Sequence, residues 1–397
     1  MVTGSLVAVI FVIVGLQAGE AVASAAPRAP SADPAFSESP SVLDSAVACS
    51  GDLVASGPAP VLLVHGTGLD PASYSWNYVR ALAPTRAVCT VALPDNATAD
   101  AQSSGERIAW AIRSIFTRAG RRIDVIAHSQ GGLVARFALR YFPSTRPMVE
   151  DLVALAPSNH GGQEADVICA VECPAAVQQQ RIGSAFVAAV NNGYETVAGI
   201  DYTNVYSTTD EVVQPNLDDT GSSSLHTGAG TIANIAVQHI CPGHVADHFM
   251  MGSTDPVAWA VAIDALDHDG PADAARISPA TCAQLFMPGV DPATGATNLA
   301  GLYLTELRSF ASAPPAKTEP PLRCYVTSTC PDPAASAEPA ASAIAARPEG
   351  AAAATLTTPT DQLPATGRGI EPAEIGTLLI ALALLVRKLA ERPTKPS

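Results

Sequence analysis

The sequence predicts an α/β fold, a mostly parallel central sheet flanked by helices. Three observations predict it. Short continuous apolar runs alternate with helical stretches, the order a parallel sheet requires because each crossover usually carries a helix. The runs are apolar at consecutive positions, as expected of strands covered on both faces. Glycine-rich turns follow two of these runs, at the sheet edge where open α/β folds place ligands.

The elements follow in order. Val61-Leu62-Leu63-Val64, bounded by Pro60 and Gly66, is the first strand and ends in His65-Gly66-Thr67-Gly68. A second strand spans 87–92. Residues 104–119 form a helix, with Ile108, Ile112, Ile115 and Phe116 at helical spacing. A strand at 123–127, a helix at 132–141 and a strand at 149–156 continue the alternation. Residues 203–207 give a further strand, and Ser253 or Asp255 caps a helix at 256–266.

The chain has 397 residues, more than one such fold needs. Residues 1–26 read as a signal peptide: an apolar run at 6–16 precedes Ala-x-Ala sites at 21–23 and 23–25, although no basic residue comes before it. Residues 32–310 form the catalytic candidate. Residues 311–362 are rich in Pro and Ala and read as an extended stalk. At 363–367 stands LPATG, followed by an apolar run at 375–386 and then Arg387, Lys388, Arg392 and Lys395. That order resembles the cell-wall sorting signal of Gram-positive surface proteins. The resemblance implies sortase cleavage between Thr366 and Gly367, and attachment of Thr366 to peptidoglycan. Twelve apolar residues reach only about 18 Å as a helix, short of the roughly 30 Å hydrocarbon core.

The net charge of −15 repels phosphate backbones and disfavours nucleic acid as a partner. Charged residues make up only 15%, so disorder driven by charge is excluded for the chain as a whole. Eight cysteines without a C-x2-C pair suit disulfides in an oxidising compartment better than a zinc site.

The chemical centre is Ala127-His128-Ser129-Gln130-Gly131-Gly132 at a strand-to-helix junction. A nucleophile elbow needs small residues two positions before and after the nucleophile, because strand and helix backbones meet there; Ala127 and Gly131 fill those places. Ser129 then sits at a helix N-terminus, whose free N–H groups favour developing negative charge. Serine needs a base, and the base needs an orienting acid. On this fold the chain order is Ser, then Asp or Glu, then His.

Among the eight histidines, His65 and His128 precede the nucleophile, and the side chain of His128 is expected to point away from it. His160 comes too early, while His226 and His268 lie in solvated loops. His239, His244 and His248 cluster before the last helix; His248, nearest that helix, is the first choice and the other two are its rivals. Asp210, at the carboxyl end of strand 203–207, is the expected acid, with Glu211 as its rival. Asp218 and Asp219 read as solvated, and Asp201 lies at the wrong end of that strand.

The segments DPAFSESPSVLD, PVLLVHGTG, SQGGLVA, FPSTRPMV and VYSTTDEVVQP, with Asp247-His248, resemble the secreted class 2 lipases of the Candida antarctica lipase B type, within the α/β-hydrolase superfamily. The match runs from about Asp33 to Cys282. It implies a monomeric hydrolase of carboxylic esters, acylglycerols among them, with the triad Ser129, Asp210 and His248 and no metal or cofactor. It also implies oxyanion donors from the backbone N–H groups of Thr67 and Gln130, with the Thr67 hydroxyl as a third. Two family disulfides map onto Cys49 with Cys89 and Cys241 with Cys282. His128 stands where that family has a Trp lining the alcohol side, which implies a more polar pocket, and Ser158 replaces an acyl-side Asp beside the retained pair Gln179-Gln180. Cys169 and Cys173, in the lid segment, have no family counterpart; they form either an extra bridge or two buried thiols. Two other uses of the fold stay open: an envelope acyltransferase with the same triad, and a catalytically silent surface adhesin.

Overall fold

The structure, a computed structural model, describes residues 32–327 apart from Ala55 and Val171. All of them belong to one compact unit. The strands are β1 (Val47–Ser50), β2 (Val61–Val64), β3 (Val88–Val91), β4 (Ile123–His128), β5 (Val149–Leu155), β6 (Cys173–Pro174), β7 (Asp201–Tyr206), β8 (Thr231–Ala236) and β9 (Pro315–Ala316). The first helices are α1 (Pro40–Ser45), α2 (Tyr78–Leu82), α3 (Ala101–Ala119), α4 (Gln130–Tyr141), α5 (Gln163–Ile168) and α6 (Ala175–Gln178). After them come α7 (Ala185–Asn191), α8 (Val237–Ile240), α9 (His248–Met251), α10 (Pro256–Asp267), α11 (Gly295–Ser312) and α12 (Cys324–Thr327).

Seven strands form one sheet in the order β1-β3-β2-β4-β5-β7-β8. Only the β1–β3 pair is antiparallel; every other neighbour is parallel. The predicted mostly parallel α/β sheet is therefore present. Side chains alternate across it with the strand period of two. Leu62, Val64, Val125 and Ala127 enter one core with Ile108, Ile112, Leu133 and Phe137 of α3 and α4. Val61, Leu63, Ile126 and Val153 enter the other with Val257, Val261 and Ala265 of α10. Because both faces are covered, each fully buried Val, Leu or Ile contributes about 1.5–3 kcal/mol from the apolar surface it removes from water.

Helix boundaries differ from the sequence reading where caps decide them. α3 starts at Ala101 rather than 104, because the Asp100 carboxylate accepts from the Gln102 N–H, and it ends at Gly120, whose φ of 68° is left-handed. α10 is capped by Asp255, one of the two caps expected, which accepts from the N–H groups of Val257 and Ala258.

The expected end of the domain at 310 is shifted. α11 continues to Ser312, and the chain beyond it stays on the domain as far as Thr327. β9 pairs with β6, the Glu319 carboxylate accepts from the Ala185 and Phe186 N–H groups at the start of α7, and Arg323 and Tyr325 both bond Glu106 of α3. The Pro-rich composition hid this strap because polar contacts, together with Tyr325 and Val326, hold it in place. The signal peptide, the remainder of the stalk and the sorting signal lie outside the described residues. Within the described residues no helix is long and apolar enough to cross a membrane.

Cys49–Cys89 and Cys241–Cys282 are disulfides, as the resemblance implies, and Cys169–Cys173 is a third. The choice left open for the last pair is thus resolved as a bridge. Cys324 is also disulfide-bonded.

Candidate active site

Sheet topology brings the predicted residues to one edge. β2, β4 and β7 run parallel, so the segments after them emerge at the same carboxyl end. Ser129 follows β4 directly and precedes α4, with φ 56° and ψ −129°. This strained, left-handed turn is tolerated because its surroundings are small. A Cβ on Gly131 would lie 2.7 Å from the Val64 carbonyl oxygen, and one on Gly66 would lie 2.8 Å from the Ser129 Cβ. The His65-Gly66-Thr67-Gly68 turn is therefore in contact with the serine elbow, and any side chain larger than hydrogen at either glycine would push them apart.

His65 fixes that turn. It is buried and accepts the Leu93 N–H on Nε2 at 3.2 Å, and its Nδ1 lies 3.0 Å from the Gly66 carbonyl. Burial lowers its pKa to about 4, so it is a neutral structural group. Among the described residues, the backbone N–H groups of Thr67 and Gln130 donate to no protein group. Two unspent donors thus flank the strained serine, and Ser129 Oγ likewise makes no hydrogen bond among the described residues.

Asp210 lies in the loop after β7 and His248 opens α9. Their side chains meet at 2.9 Å between Oδ2 and Nδ1, and both are buried. The other Asp210 oxygen accepts from the N–H groups of Val212 and Val213, which fixes the carboxylate. The Asp247 side chain caps α9 on the Met250 N–H, and the His248 N–H bonds the Glu211 carboxylate at 3.1 Å. With Nδ1 committed to Asp210, the free imidazole nitrogen is Nε2. Burial opposes charging of His248, but Asp210, Glu211 and Glu306 outweigh it and raise its pKa to about 9.

The rivals are engaged elsewhere. His244 Nε2 pairs with Asp255 at 2.5 Å, and His239 is exposed. His160 pairs with Glu195. Glu211 reaches the backbone N–H of His248, while Asp210 takes the ring.

His128, next to the nucleophile, packs against the histidine of the pair. Its ring centroid lies 4.8 Å from that of His248, and its Nε2 donates to the His248 carbonyl at 2.9 Å. Burial, with His248 nearby, lowers its pKa to about 3, so this support is neutral. Only 2% of His128 is exposed, and its Nε2 is committed to the backbone of α9.

Two carboxylates escaped the sequence reading. A Cβ on Gly68 would lie 2.7 Å from Glu306 Cγ, which places α11 over the glycine-rich turn, and Phe249 of α9 packs against Tyr303 of α11 with ring centroids 4.4 Å apart and planes tilted by 57°. Glu164 of α5 and Glu306 both act electrostatically on His248, and burial raises each pKa to about 7. Neither carries a local motif. Their role depends on where α5 and α11 lie in space.

Residues 60–216 match the family described as palmitoyl protein thioesterase. Lipase B of Pseudozyma antarctica is 36% identical over 227 residues, covering 56% of this chain and 66% of that protein. The crystal structure of Aspergillus fumigatus lipase B superposes with a TM-score of 0.69 at 29% identity, covering 75% of this chain and 74% of that one. The chain is an α/β-hydrolase related to lipase B. This hydrolase spans about two thirds of the length of the curated relative it matches.

Proposed function

We propose that this hydrolase cleaves carboxylic esters, including acylglycerol-type lipids, through an acyl-enzyme on Ser129. The observation that carries this reading is the buried Asp210–His248 pair at the same sheet edge as the strained Ser129, beside two unspent N–H donors. The lipase relatives support the same reaction class.

In this scheme His248 Nε2 takes the Ser129 proton as Oγ attacks the ester carbonyl, and Asp210 holds the tautomer and stabilises the imidazolium. The tetrahedral oxyanion accepts from the N–H groups of Thr67 and Gln130 and from the Thr67 hydroxyl. The proton then passes to the departing alcohol, and water repeats the sequence on the acyl-enzyme. The chemistry calls for no metal or cofactor. A fluorophosphonate tests the reading: one equivalent is expected to attach at Ser129 while p-nitrophenyl butyrate hydrolysis falls to zero. Labelling elsewhere, or none, counts against it and favours the silent adhesin. The match to a thioesterase family favours a parallel assay with an acyl thioester, since the same attack serves both carbonyls. Adding sugar or lipid hydroxyl acceptors distinguishes transfer from hydrolysis.

His248 must be neutral to accept the serine proton, and its pKa is raised to about 9. Hydrolytic kcat/KM is therefore expected to climb about tenfold per pH unit below that value and to level off above it. A plateau already reached at pH 6.5 would contradict the raised pKa of His248.

The reading places the enzyme outside the cell. Three disulfides among the described residues suit an oxidising compartment. The leader at 1–26 and the LPATG tail support export followed by sortase attachment to peptidoglycan through Thr366, with Gly367 leaving. Thr366→Ala is expected to release most of the activity from the cell-wall fraction into the medium; unchanged wall association would sink the anchoring proposal.

A further inference from the structure

Gln180 follows α6, and its side-chain amide has three partners. Nε2 donates to the Ala176 carbonyl at 3.1 Å and to Thr67 Oγ1 at 2.9 Å, while Oε1 accepts from Ser158 Oγ at 3.0 Å. A carbonyl only accepts, so the Ala176 contact fixes which end of the amide is nitrogen. Thr67 Oγ1 must then accept from Gln180, and its own proton is turned elsewhere. Gln180 and Ser158 are buried, whereas Thr67 is partly exposed, where the glycine-rich turn meets Ser129. Among the described residues, Thr67 Oγ1 has no hydrogen-bond partner besides Gln180.

We propose that Gln180 is a positioning residue of the oxyanion hole: by donating to Thr67 Oγ1 it compels the threonine hydroxyl to present its proton to the tetrahedral oxyanion. Ser158 completes the chain, and its direction is set throughout. Ser158 donates to the amide oxygen, the amide nitrogen donates to Thr67, and Thr67 donates to substrate. Without Gln180 the hydroxyl is free to rotate and to spend its proton on a neighbouring acceptor. A carboxylate in its place would reverse the middle bond, because an ionised acid only accepts. The Thr67 proton would then point away from the reacting carbonyl. The inference rests on the reading of Ser129 and Thr67 given above and adds the residue that orients the hydroxyl.

The test is a double-mutant cycle in the full chain with p-nitrophenyl butyrate at pH 8. Gln180→Met is expected to lower kcat about tenfold with KM nearly unchanged. Gln180→Glu, nearly isosteric, is expected to lower it about a hundredfold or more, the range for a lost oxyanion donor. In the Thr67→Val background, which has no hydroxyl to orient, each Gln180 change is expected to cost less than about threefold. Equal losses in both backgrounds would overturn the proposal and leave Gln180 a packing residue, as would wild-type kcat in Gln180→Met. Should Gln180→Glu fail to fold, the Gln180→Met and Thr67→Val pair carries the same comparison. A wild-type chain that neither hydrolyses the ester nor takes the fluorophosphonate would overturn the catalytic reading and this inference with it. Normal wild-type turnover without coupling between Gln180 and Thr67 removes this inference alone.

Discussion

Ser129→Ala is expected to lower kcat for p-nitrophenyl butyrate by a factor on the order of 10⁶, the scale on which removal of a serine nucleophile acts. The substitution deletes one oxygen and little else. Ser129 is 6% exposed and its hydroxyl bonds no other group among the described residues, so no structural hydrogen bond is lost. Its backbone, at φ 56°, is equally strained for Ser and Ala, and the thermal midpoint is expected to stay within a few degrees of the wild type. Loss of activity together with unchanged stability separates a nucleophile from a packing residue. Retention of more than about one part in a thousand of the wild-type kcat would exclude Ser129 from covalent catalysis, whatever the sheet topology.

Asp210→Asn is expected to cost about 10⁴ in kcat, by changing which imidazole nitrogen carries the proton. The asparagine carbonyl can still accept from the Val212 and Val213 N–H groups, so the loop is expected to keep its course. Its amide then donates to His248 Nδ1 and drives the ring proton onto Nε2, where it blocks acceptance of the serine proton. Removing the carboxylate also removes an attraction that raises the His248 pKa, so the residual acid limb is expected to move to lower pH. Kinetics over a pH series read both effects at once. A loss below about tenfold would return the acid's role to Glu211, which sits one residue on and reaches the His248 backbone.

Much of this site was legible because its chemistry is local. The elbow around Ser129 and the His65–Gly68 turn each declare themselves within a few residues, and sheet order then restricts where acid and base can follow. The choice of His248 over His244 was legible only as nearness to a helix. The structure supplies the physical reason, since Asp255 caps α10 with one oxygen and holds His244 with the other. The partner of His128 is not legible locally, because it is a backbone carbonyl 120 positions away. Glu164, Glu306 and the Ser158–Gln180–Thr67 chain depend on helices that approach from distant parts of the sequence. No window of neighbouring residues contains that information. The strap at 313–327 has the composition of a stalk because carboxylate and guanidinium contacts, which leave no apolar periodicity, hold it to the domain.

That strap has a consequence for anyone expressing the enzyme. Glu106 is 1% exposed and is held from two directions: Ser37 near the start of the described chain donates to one oxygen, and Arg323 and Tyr325 of the strap donate to the other. Cutting at 310, where the composition changes, would strip the guanidinium from a carboxylate that has almost no access to water and bare the Phe137, Tyr141 and Phe142 rings against which Tyr325 packs. An unpaired buried charge beside newly exposed rings is a recipe for inclusion bodies. The shortest recombinant form to attempt therefore retains at least Thr327, whatever is done with the tail that follows.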